Sequence, residues 1–347
     1  MRNFKKFVLI ILILIFAMSI KIVYGNGDVV TVYNFEQWKS IIDKTIENAD
    51  ESVSMSIKNY DSKIYDIKLI DRSNASVSMK GYLWGSTANV TYKFNYHENY
   101  KLIRASEDAS NISNLDESQM ALYNRVKTAC FSVIDEGMSD YEKEKALHDY
   151  LVLKSVYDLK DGDYSHNIRN IIDADRGVCD AYAYTFKMLC DFAGIPCKIV
   201  IGSLENVAHA WNVVKIEDKW YYVDVTNDDS VPDIKGKVKY DFFNLTQSDL
   251  QAKGYVWDTS KTPVCDSNKY NYFVYNNLLL KNMTDMKNLI EKNVNSRKKT
   301  VIFRTEGFAI SNINQIKGYF NSAVVSGYTL EGVFGKEGVY TLTINYK

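Results

Sequence analysis

Proline, glycine and histidine are scarce in this chain of 347 residues, which has three prolines, 17 glycines and four histidines. So few turn-forming residues, and no low-complexity segment, argue against long flexible linkers and favour folded modules. The charges nearly cancel, with 42 Lys and Arg against 43 Asp and Glu, so we expect no nucleic-acid partner. A hydrophobic content of 46% is typical of a folded protein.

Long apolar runs are absent except at the N-terminus, where residues 7–20 follow three basic residues. A basic start, a short apolar stretch and a small residue at Gly25 predict a secretory signal peptide over residues 1–25. The run is shorter than the roughly 18–20 residues that a membrane-spanning helix needs, and an uncleaved anchor is the alternative. We therefore expect a secreted or cell-surface protein that meets a membrane only through this segment.

Cysteines are few and odd in number, which argues against a complete disulfide framework in an exported chain. No C-x-x-C pair is present, so we expect no zinc site, no other metal and no cofactor. Four of the five are interpreted as small buried hydrophobes: Cys130, Cys190, Cys197 and Cys265. Cys179 is the one whose position calls for another explanation.

The two ends of the chain resemble each other. The segment at residues 30–57 resembles the one at residues 278–304 at a constant offset, so that Asn34 corresponds to Asn282 and Val53 to Val301 without a gap. Each copy shows strand, amphipathic helix and strand periodicity, and each ends in a further alternating strand. We predict two small βαβ-type repeat modules, over residues 27–105 and 271–347. Chance similarity of two amphipathic segments is the alternative.

Between the modules, a polar stretch at residues 106–118 predicts a linker, and a different domain follows over residues 116–270. Its second helix opens with Ser139 and Glu142 at the spacing of a capping box.

Cys179 begins the next helical pattern, which Gly194 and Pro196 terminate. In the first turn of a helix the backbone N–H groups are unpaired and the dipole favours an anion, so a thiolate is stabilised there. The same N–H groups can hold an oxyanion. Gly177, two residues earlier, permits a sharp turn into the helix.

A predicted hairpin follows, in which two alternating runs flank a two-residue loop at residues 217–218. With that loop, Ile216 opposes Lys219 and Trp211 opposes Asp224. His209 and Asp224 then share one face of the sheet as diagonal neighbours, within reach of a hydrogen bond. A three-residue loop would place them on opposite faces.

These residues form a nucleophile, a base and an orienting carboxylate: Cys179, His209 and Asp224. His209 would take the thiol proton, and Asp224 would fix its tautomer and stabilise its charged form. The sulfur would attack an amide and form a thioester. For His148 and Trp211, packing in the core explains their positions as well as chemistry does.

Three segments, at residues 145–158, 177–202 and 209–228, resemble the transglutaminase-like superfamily in its bacterial secreted form, over residues 142–244 in all. The resemblance implies a papain-like α+β core, with the cysteine at a helix N-terminus packed against an antiparallel sheet that carries the histidine and aspartate. By motif position the triad falls on the same three residues. One departure is Ala181, where the family often has glycine. The second oxyanion donor is open, and the candidates are Tyr164, His166 and Asn167.

The reaction that this implies is transglutaminase-like acyl transfer or amide hydrolysis on a protein or peptide substrate, at or outside the cell surface. A cysteine peptidase with the same core is one alternative, because water or an amine can discharge the same thioester. A second alternative is a non-catalytic protein of the cell surface, in which the flanking modules bind a wall polymer or a partner and the central domain is a scaffold.

Overall fold

The computed structural model describes residues 29–70, 74–160, 162, 165–229 and 231–347, and the signal peptide predicted for residues 1–25 lies outside them. The chain divides into two compact units, the first ending at His97 and the second running from Glu98 to Lys347. Within the described ranges, no helix is both long enough and apolar enough to cross a membrane.

Helices and strands both contribute, so the α+β class expected from the sequence is confirmed. The helices are α1 Phe35–Glu47, α2 Glu98–Glu107, α3 Glu117–Phe131, α4 Asp140–Lys154, α5 Ile168–Ala174, α6 Cys179–Ala193, α7 Val225–Asp228, α8 Gln247–Ala252, α9 Tyr272–Tyr275 and α10 Met283–Asn295. The strands are β1 Val29–Val32, β2 Ser52–Ile57, β3 Ala75–Trp84, β4 Thr87–Tyr96, β5 Val156–Tyr157, β6 Arg176–Gly177, β7 Cys197–Leu204, β8 Val207–Ile216, β9 Lys219–Val223, β10 Tyr255–Trp257, β11 Leu279–Leu280, β12 Thr300–Thr305, β13 Val325–Glu331 and β14 Val339–Tyr346.

The first unit is a four-stranded sheet, in the order β1-β2-β4-β3, with one helix packed on it. β1 and β2 are parallel, and the remaining pairs are antiparallel. Asn34 caps α1 by accepting a hydrogen bond from the backbone N–H of Gln37. Trp38 on the inner face of α1 is buried, and its indole N–H donates to the Tyr92 hydroxyl on β4 at 3.0 Å. This contact fixes the helix on the sheet.

The C-terminal strands form a second sheet with a corresponding order, β11-β12-β14-β13, and the same strand directions. The pair Val53↔Tyr92 in the first sheet has its counterpart in Val301↔Leu342, at sequence offsets of 248 and 250 residues. Asn282 caps α10 as Asn34 caps α1. The two regions thus share a topology, while their origin as copies of one module stays a prediction.

The central sheet is antiparallel, in the order β10-β7-β8-β9, and α6 packs against β8. The core on the α6 side is continuous from Leu102 to Ile344 and includes side chains from β12 and β14. The C-terminal region that the sequence separated at residue 271 therefore shares one hydrophobic core with the central domain. A smaller cluster, which includes Val200, Trp211 and Tyr255, lies on the opposite face of the sheet.

One boundary differs from the sequence prediction. The N-terminal module was expected to extend to residue 105, whereas the first unit ends at His97. The reason is α2, whose Leu102 and Ala105 are buried in the core of the second unit, where α2 packs against α6. The apolar spacing of this helix does not reveal which sheet it will contact.

Local predictions in the central domain are confirmed. Ser139 and Glu142 form a capping box at the start of α4. α6 begins at Cys179 and ends at Gly194, which adopts φ +76° and closes the last turn. The hairpin pairs Ile216 with Lys219 across a two-residue loop, as the alternation required.

Candidate active site

Cys179 is the first residue of α6 and is half-buried, whereas the four other cysteines are buried, and all five are free thiols. The segment before it is held because the Val178 N–H donates to the Ser165 carbonyl at 3.0 Å. A Cβ at Gly177 would lie 2.7 Å from Ile171 Cδ1 and 2.9 Å from Ala181 Cβ. Gly177 is therefore needed for close packing at the helix entry, since its own φ is not in the left-handed region.

His209 and Asp224 are brought together by the register of β8 and β9. The ladder continues as far as Asn212↔Val223, and β9 then ends. Asp224 caps the short helix α7, because its Oδ1 accepts from the Asn227 N–H at 3.1 Å. Its Oδ2 accepts from His209 Nε2 at 2.6 Å. The predicted histidine–aspartate pair is thus present.

His209 also contacts the third predicted residue. The Cys179 thiol is close enough to help raise the pKa of His209, together with Asp224. Since Nε2 faces Asp224, the other ring nitrogen, Nδ1, is the one available to exchange a proton with the sulfur. All three residues singled out in the sequence therefore lie together, in the order thiol, imidazole and carboxylate.

The electrostatics favour a charged imidazole. Burial alone would lower the pKa of His209, but the hydrogen bond and charge of Asp224, together with the nearby Cys179, raise it to about 10. Burial would raise the pKa of Asp224, yet the hydrogen bond and charge of His209 outweigh it and hold that pKa below its usual range. An imidazolium beside an ionised aspartate is the state that these contacts stabilise.

Two further residues surround the carboxylate, and sequence reasoning did not single them out. The Tyr255 hydroxyl donates to Asp224 Oδ2 at 2.5 Å, and Asn227 Nδ2 donates to the same oxygen at 2.8 Å. Asn227 lies in residues 209–228, one of the three segments that resemble the superfamily, and it follows Asp224 at the spacing of an N-cap contact. That spacing is the feature of the sequence that could have identified it. Tyr255 lies on β10, and nothing in the local pattern marks it.

The imidazole of His209 is also packed between aromatic rings. The Trp211 ring stacks on it at 5.8 Å between centroids, and the Tyr255 ring meets it edge-on at 5.7 Å. The prediction that Trp211 packs in the core is confirmed, because it is almost fully buried. Gly202 leaves room for the Trp211 ring, since a Cβ there would lie 2.8 Å from Trp211 Cη2.

The first turn of α6 supplies candidate oxyanion donors. Asp180 Oδ1 accepts from the Ala181 N–H at 2.9 Å, which leaves the N–H groups of Cys179 and Asp180 directed out of the helix end. Asp180 also accepts from His166 Nδ1 at 2.8 Å, so His166, a candidate oxyanion donor from the sequence, is half-exposed and paired with Asp180.

The sequence also named Tyr164 and Asn167 as candidate donors. Tyr164 lies outside the described residues. Asn167 precedes α5 without capping it through its side chain. In the described part of the chain, no group of three His, Cys, Asp or Glu side chains is arranged to hold a metal ion.

The comparisons with known proteins agree with this geometry. Residues 127–225 match the family model of the Transglutaminase-like superfamily. The central segment is transglutaminase-like. The resemblance inferred from the sequence is therefore confirmed over these residues, which include the three triad positions. Members of this superfamily are usually cysteine enzymes.

Two curated relatives each match about a third of this chain. The kyphoscoliosis peptidase of Mus musculus is 25% identical over 125 residues, which cover 31% of this chain and 19% of the mouse protein. The kyphoscoliosis peptidase of Homo sapiens is 26% identical over 140 residues, which cover 35% of this chain and 21% of the human protein. The chain thus matches about a fifth of the length of these relatives.

Among solved structures, a TGase crystal structure shares 16% sequence identity with this chain. The match covers 62% of this chain and 63% of the TGase, with a TM-score of 0.31. An overall superposition of this quality adds nothing to the family match.

Proposed function

We propose that this protein is a cysteine-dependent acyl transferase or amidase that acts on amide bonds of proteins or peptides. The observation that carries the proposal is the position of His209, which is hydrogen-bonded to Asp224 and has its pKa raised by the nearby Cys179 at a helix N-terminus. This is the arrangement that nucleophilic catalysis by a thiol requires.

The proposed reaction has two steps. The Cys179 thiolate attacks the amide carbonyl, and the negative charge that develops on oxygen is held by the N–H groups at the start of α6. The C–N bond then breaks, the imidazolium of His209 gives its proton to the leaving amine, and a thioester remains. In the second step an amine or water, deprotonated by His209, attacks the thioester and releases the thiol.

Amine and water lead to different functions. Transfer to a primary amine makes a new amide and cross-links or modifies the substrate, whereas transfer to water is hydrolysis. The names of the two curated relatives, both peptidases, favour hydrolysis as the second candidate. Which acceptor reacts depends on how far the site excludes water.

The flanking modules favour a third candidate, a non-catalytic surface-binding protein. At the end of β3, an edge strand of the first unit, the apolar side chains of Tyr82, Leu83 and Trp84 are all exposed, Trp84 to 80%. Exposed apolar clusters of this kind mark interaction sites in many proteins. We propose that the two modules are copies of one unit and that they contact the substrate or the cell surface.

Export remains part of the proposal. The basic and apolar N-terminal segment supports secretion or retention at the cell surface. The mass of the mature N-terminus, measured on protein recovered from outside the cell, tests this directly. A mature protein that begins near residue 26 supports cleavage, and one that begins at residue 1 contradicts it.

The catalytic proposal is tested with casein and a fluorescent primary alkylamine, by following amine incorporation and the release of new termini in parallel. We expect Cys179→Ala to abolish both reactions while the melting temperature barely changes. Cys265→Ala is the matched control, because the buried Cys265 thiol donates to the Pro263 carbonyl at 3.5 Å and not to His209, and it should retain activity. A Cys179→Ala variant that keeps either reaction refutes the proposal. A wild-type protein with neither reaction, whose binding to cells is unchanged in Cys179→Ala, supports the binding candidate.

A further inference from the structure

Tyr255 reaches the candidate site from outside the segment that matches the family model. It lies on β10, the edge strand of the central sheet, and pairs with Leu204 on β7. The chain between Asp224 and Tyr255 leaves the sheet and returns on the far side of β7. The Tyr255 hydroxyl is thereby placed 2.5 Å from Asp224 Oδ2.

Three donors converge on this one carboxylate oxygen. His209 Nε2 lies at 2.6 Å, the Tyr255 hydroxyl at 2.5 Å and Asn227 Nδ2 at 2.8 Å from Asp224 Oδ2. Asn227 Nδ2 also lies at 2.7 Å from the Tyr255 hydroxyl, so this amide bridges Tyr255 and Asp224. Asp224 is fully buried, and an ionised carboxylate persists without water only when its oxygens are hydrogen-bonded.

The ring of Tyr255 cannot easily turn away from this position. It is 2% exposed and packs edge-on against Trp211 at 5.0 Å between centroids and against His209 at 5.7 Å. The backbone of β10 is fixed by its ladder with β7. The hydroxyl therefore holds one oxygen of Asp224 in the position that faces the imidazole.

We propose that Tyr255, bridged by Asn227, is a positioning residue that keeps Asp224 ionised and aimed at His209. The inference rests on the proposed function of Cys179, because it assigns Tyr255 a role in the same reaction. Tyr255 acts through Asp224 and His209 and touches neither the nucleophile nor the substrate.

The titratable groups that face Asp224 decide the sign of the expected effect. They are His209, with Cys179 near it, and Tyr255 itself, which in turn feels the charge of Asp228. Burial and the charge of Asp224 raise the pKa of Tyr255 far above its ordinary value, so its hydroxyl remains a donor. Its hydrogen bond lowers the pKa of Asp224, so its loss raises that pKa and moves the acid limb of the reaction to higher pH.

The test compares Tyr255→Phe with Tyr222→Phe. Tyr222 is equally buried in the same cluster, but its hydroxyl contacts Thr262 Oγ1 at 2.9 Å rather than the carboxylate. The rate of Cys179 alkylation by iodoacetamide is measured from pH 4 to pH 9. We expect the acid limb to move up by about one pH unit in Tyr255→Phe, with the rate falling about tenfold on that limb, and to stay in place in Tyr222→Phe.

A double-mutant cycle with Asp224→Asn gives a second readout. If Tyr255 acts through the carboxylate, Tyr255→Phe changes the alkylation profile of Asp224→Asn by less than about twofold. An unshifted acid limb in Tyr255→Phe, or an equal effect in both backgrounds, overturns the inference. Should Tyr255→Phe not fold, Asn227→Ala removes the bridging amide, and an unshifted profile there overturns it equally.

Alkylation needs no substrate, so the two proposals fail separately. A wild-type protein whose thiol shows the expected profile but which transfers no acyl group refutes the proposed function and leaves the role of Tyr255 supported. A protein that is active on casein but shows no shift in Tyr255→Phe refutes only the role of Tyr255.

Discussion

Two histidines of the central domain, His209 and His148, each lie beside carboxylates, but they differ in exposure and in their remaining neighbours. His209 has Asp224 at Nε2 and the Cys179 thiol on its other side, and its side chain is 10% exposed. His148 on α4 has Asp149 at Nδ1, 3.1 Å away, and Asp228 at Nε2, 3.2 Å away, and it is completely buried. In His148 both nitrogens donate to carboxylates, so neither can exchange a proton with a substrate.

The comparison shows that a shifted pKa does not by itself identify an active site. Burial would lower the pKa of His148, but Asp149 and Asp228 raise it to about 9, close to the value of about 10 for His209. Both imidazoles are charged at neutral pH. Only His209, which has a thiol nearby and a side chain that is partly exposed, has the geometry for catalysis.

The largest expected difference between the two histidines is in activity. We expect His209→Ala to reduce acyl transfer or hydrolysis about a thousandfold or more, because the base and the leaving-group acid are both lost. His148→Gln should retain the rate per folded molecule. Initial rates normalised to folded protein test this. Comparable losses in the two variants would mean that the His148 cluster also serves the reaction.

The free energy of unfolding should show the reverse order, with the larger loss on substitution of His148. His148→Gln leaves Asp228 buried without its cation, and we expect a loss of about 3 kcal/mol in the free energy of unfolding. Adding Asp228→Asn removes the unpaired charge and should recover part of that loss, because Asn can still accept the Phe242 N–H bond that Asp228 Oδ1 accepts at 3.0 Å. Urea titrations at pH 7 measure both. Losses that simply add would contradict coupling between the two residues.

The same cluster gives a pH prediction through Glu144, one helical turn before His148. Asn244 Nδ2 donates to Glu144 Oε2 at 2.8 Å, while Glu144 Oε1 and Asn244 Oδ1 are both buried without a partner in the described part of the chain. One proton between these two oxygens would satisfy both. Burial raises the pKa of Glu144 from 4.5 to about 8, so the folded protein holds this proton at neutral pH.

Because the folded pKa is the higher one, this stabilisation is complete below about pH 4.5 and is lost as pH rises to about 8. We expect Glu144→Gln, whose amide N–H can donate to Asn244 in place of the acid proton, to remove this contribution of roughly 1.4 kcal/mol per pH unit. Urea unfolding of both proteins from pH 5 to pH 9 tests it. Parallel pH profiles would contradict the assignment.

The smallest effect expected is at the start of α4, the helix that carries Glu144 and His148. Ser139→Ala removes the cap from this helix and should cost about 1 kcal/mol of unfolding free energy. The pH profile of Cys179 alkylation should not change, since α4 holds no residue of the site around His209. A shifted profile would show that the two clusters are coupled through α7.

The placement of the three candidate residues was predictable from sequence because each position follows from a local rule. Helix periodicity placed Cys179 in a first turn, and strand alternation with a two-residue loop put His209 and Asp224 on one face. Tyr255 and Asp228 were missed for the opposite reason. Tyr255 is 31 residues from Asp224, and Asp228 is 80 residues from His148, so both contacts depend on how the chain returns to the sheet. The spacing of apolar residues in the sequence does not indicate where the chain comes back to the sheet.

The shared core of the central and C-terminal regions has a consequence for biosynthesis. The helix that begins at Cys179 packs in a core that also needs Val301, Leu342 and Ile344. While the ribosome is still adding these residues, that core cannot close, although the unit that ends at His97 has its own sheet and can already fold. We therefore expect the Cys179 thiol to come together with His209 and Asp224 only after synthesis has passed residue 344. An incomplete chain would contain Cys179 in an unreactive form.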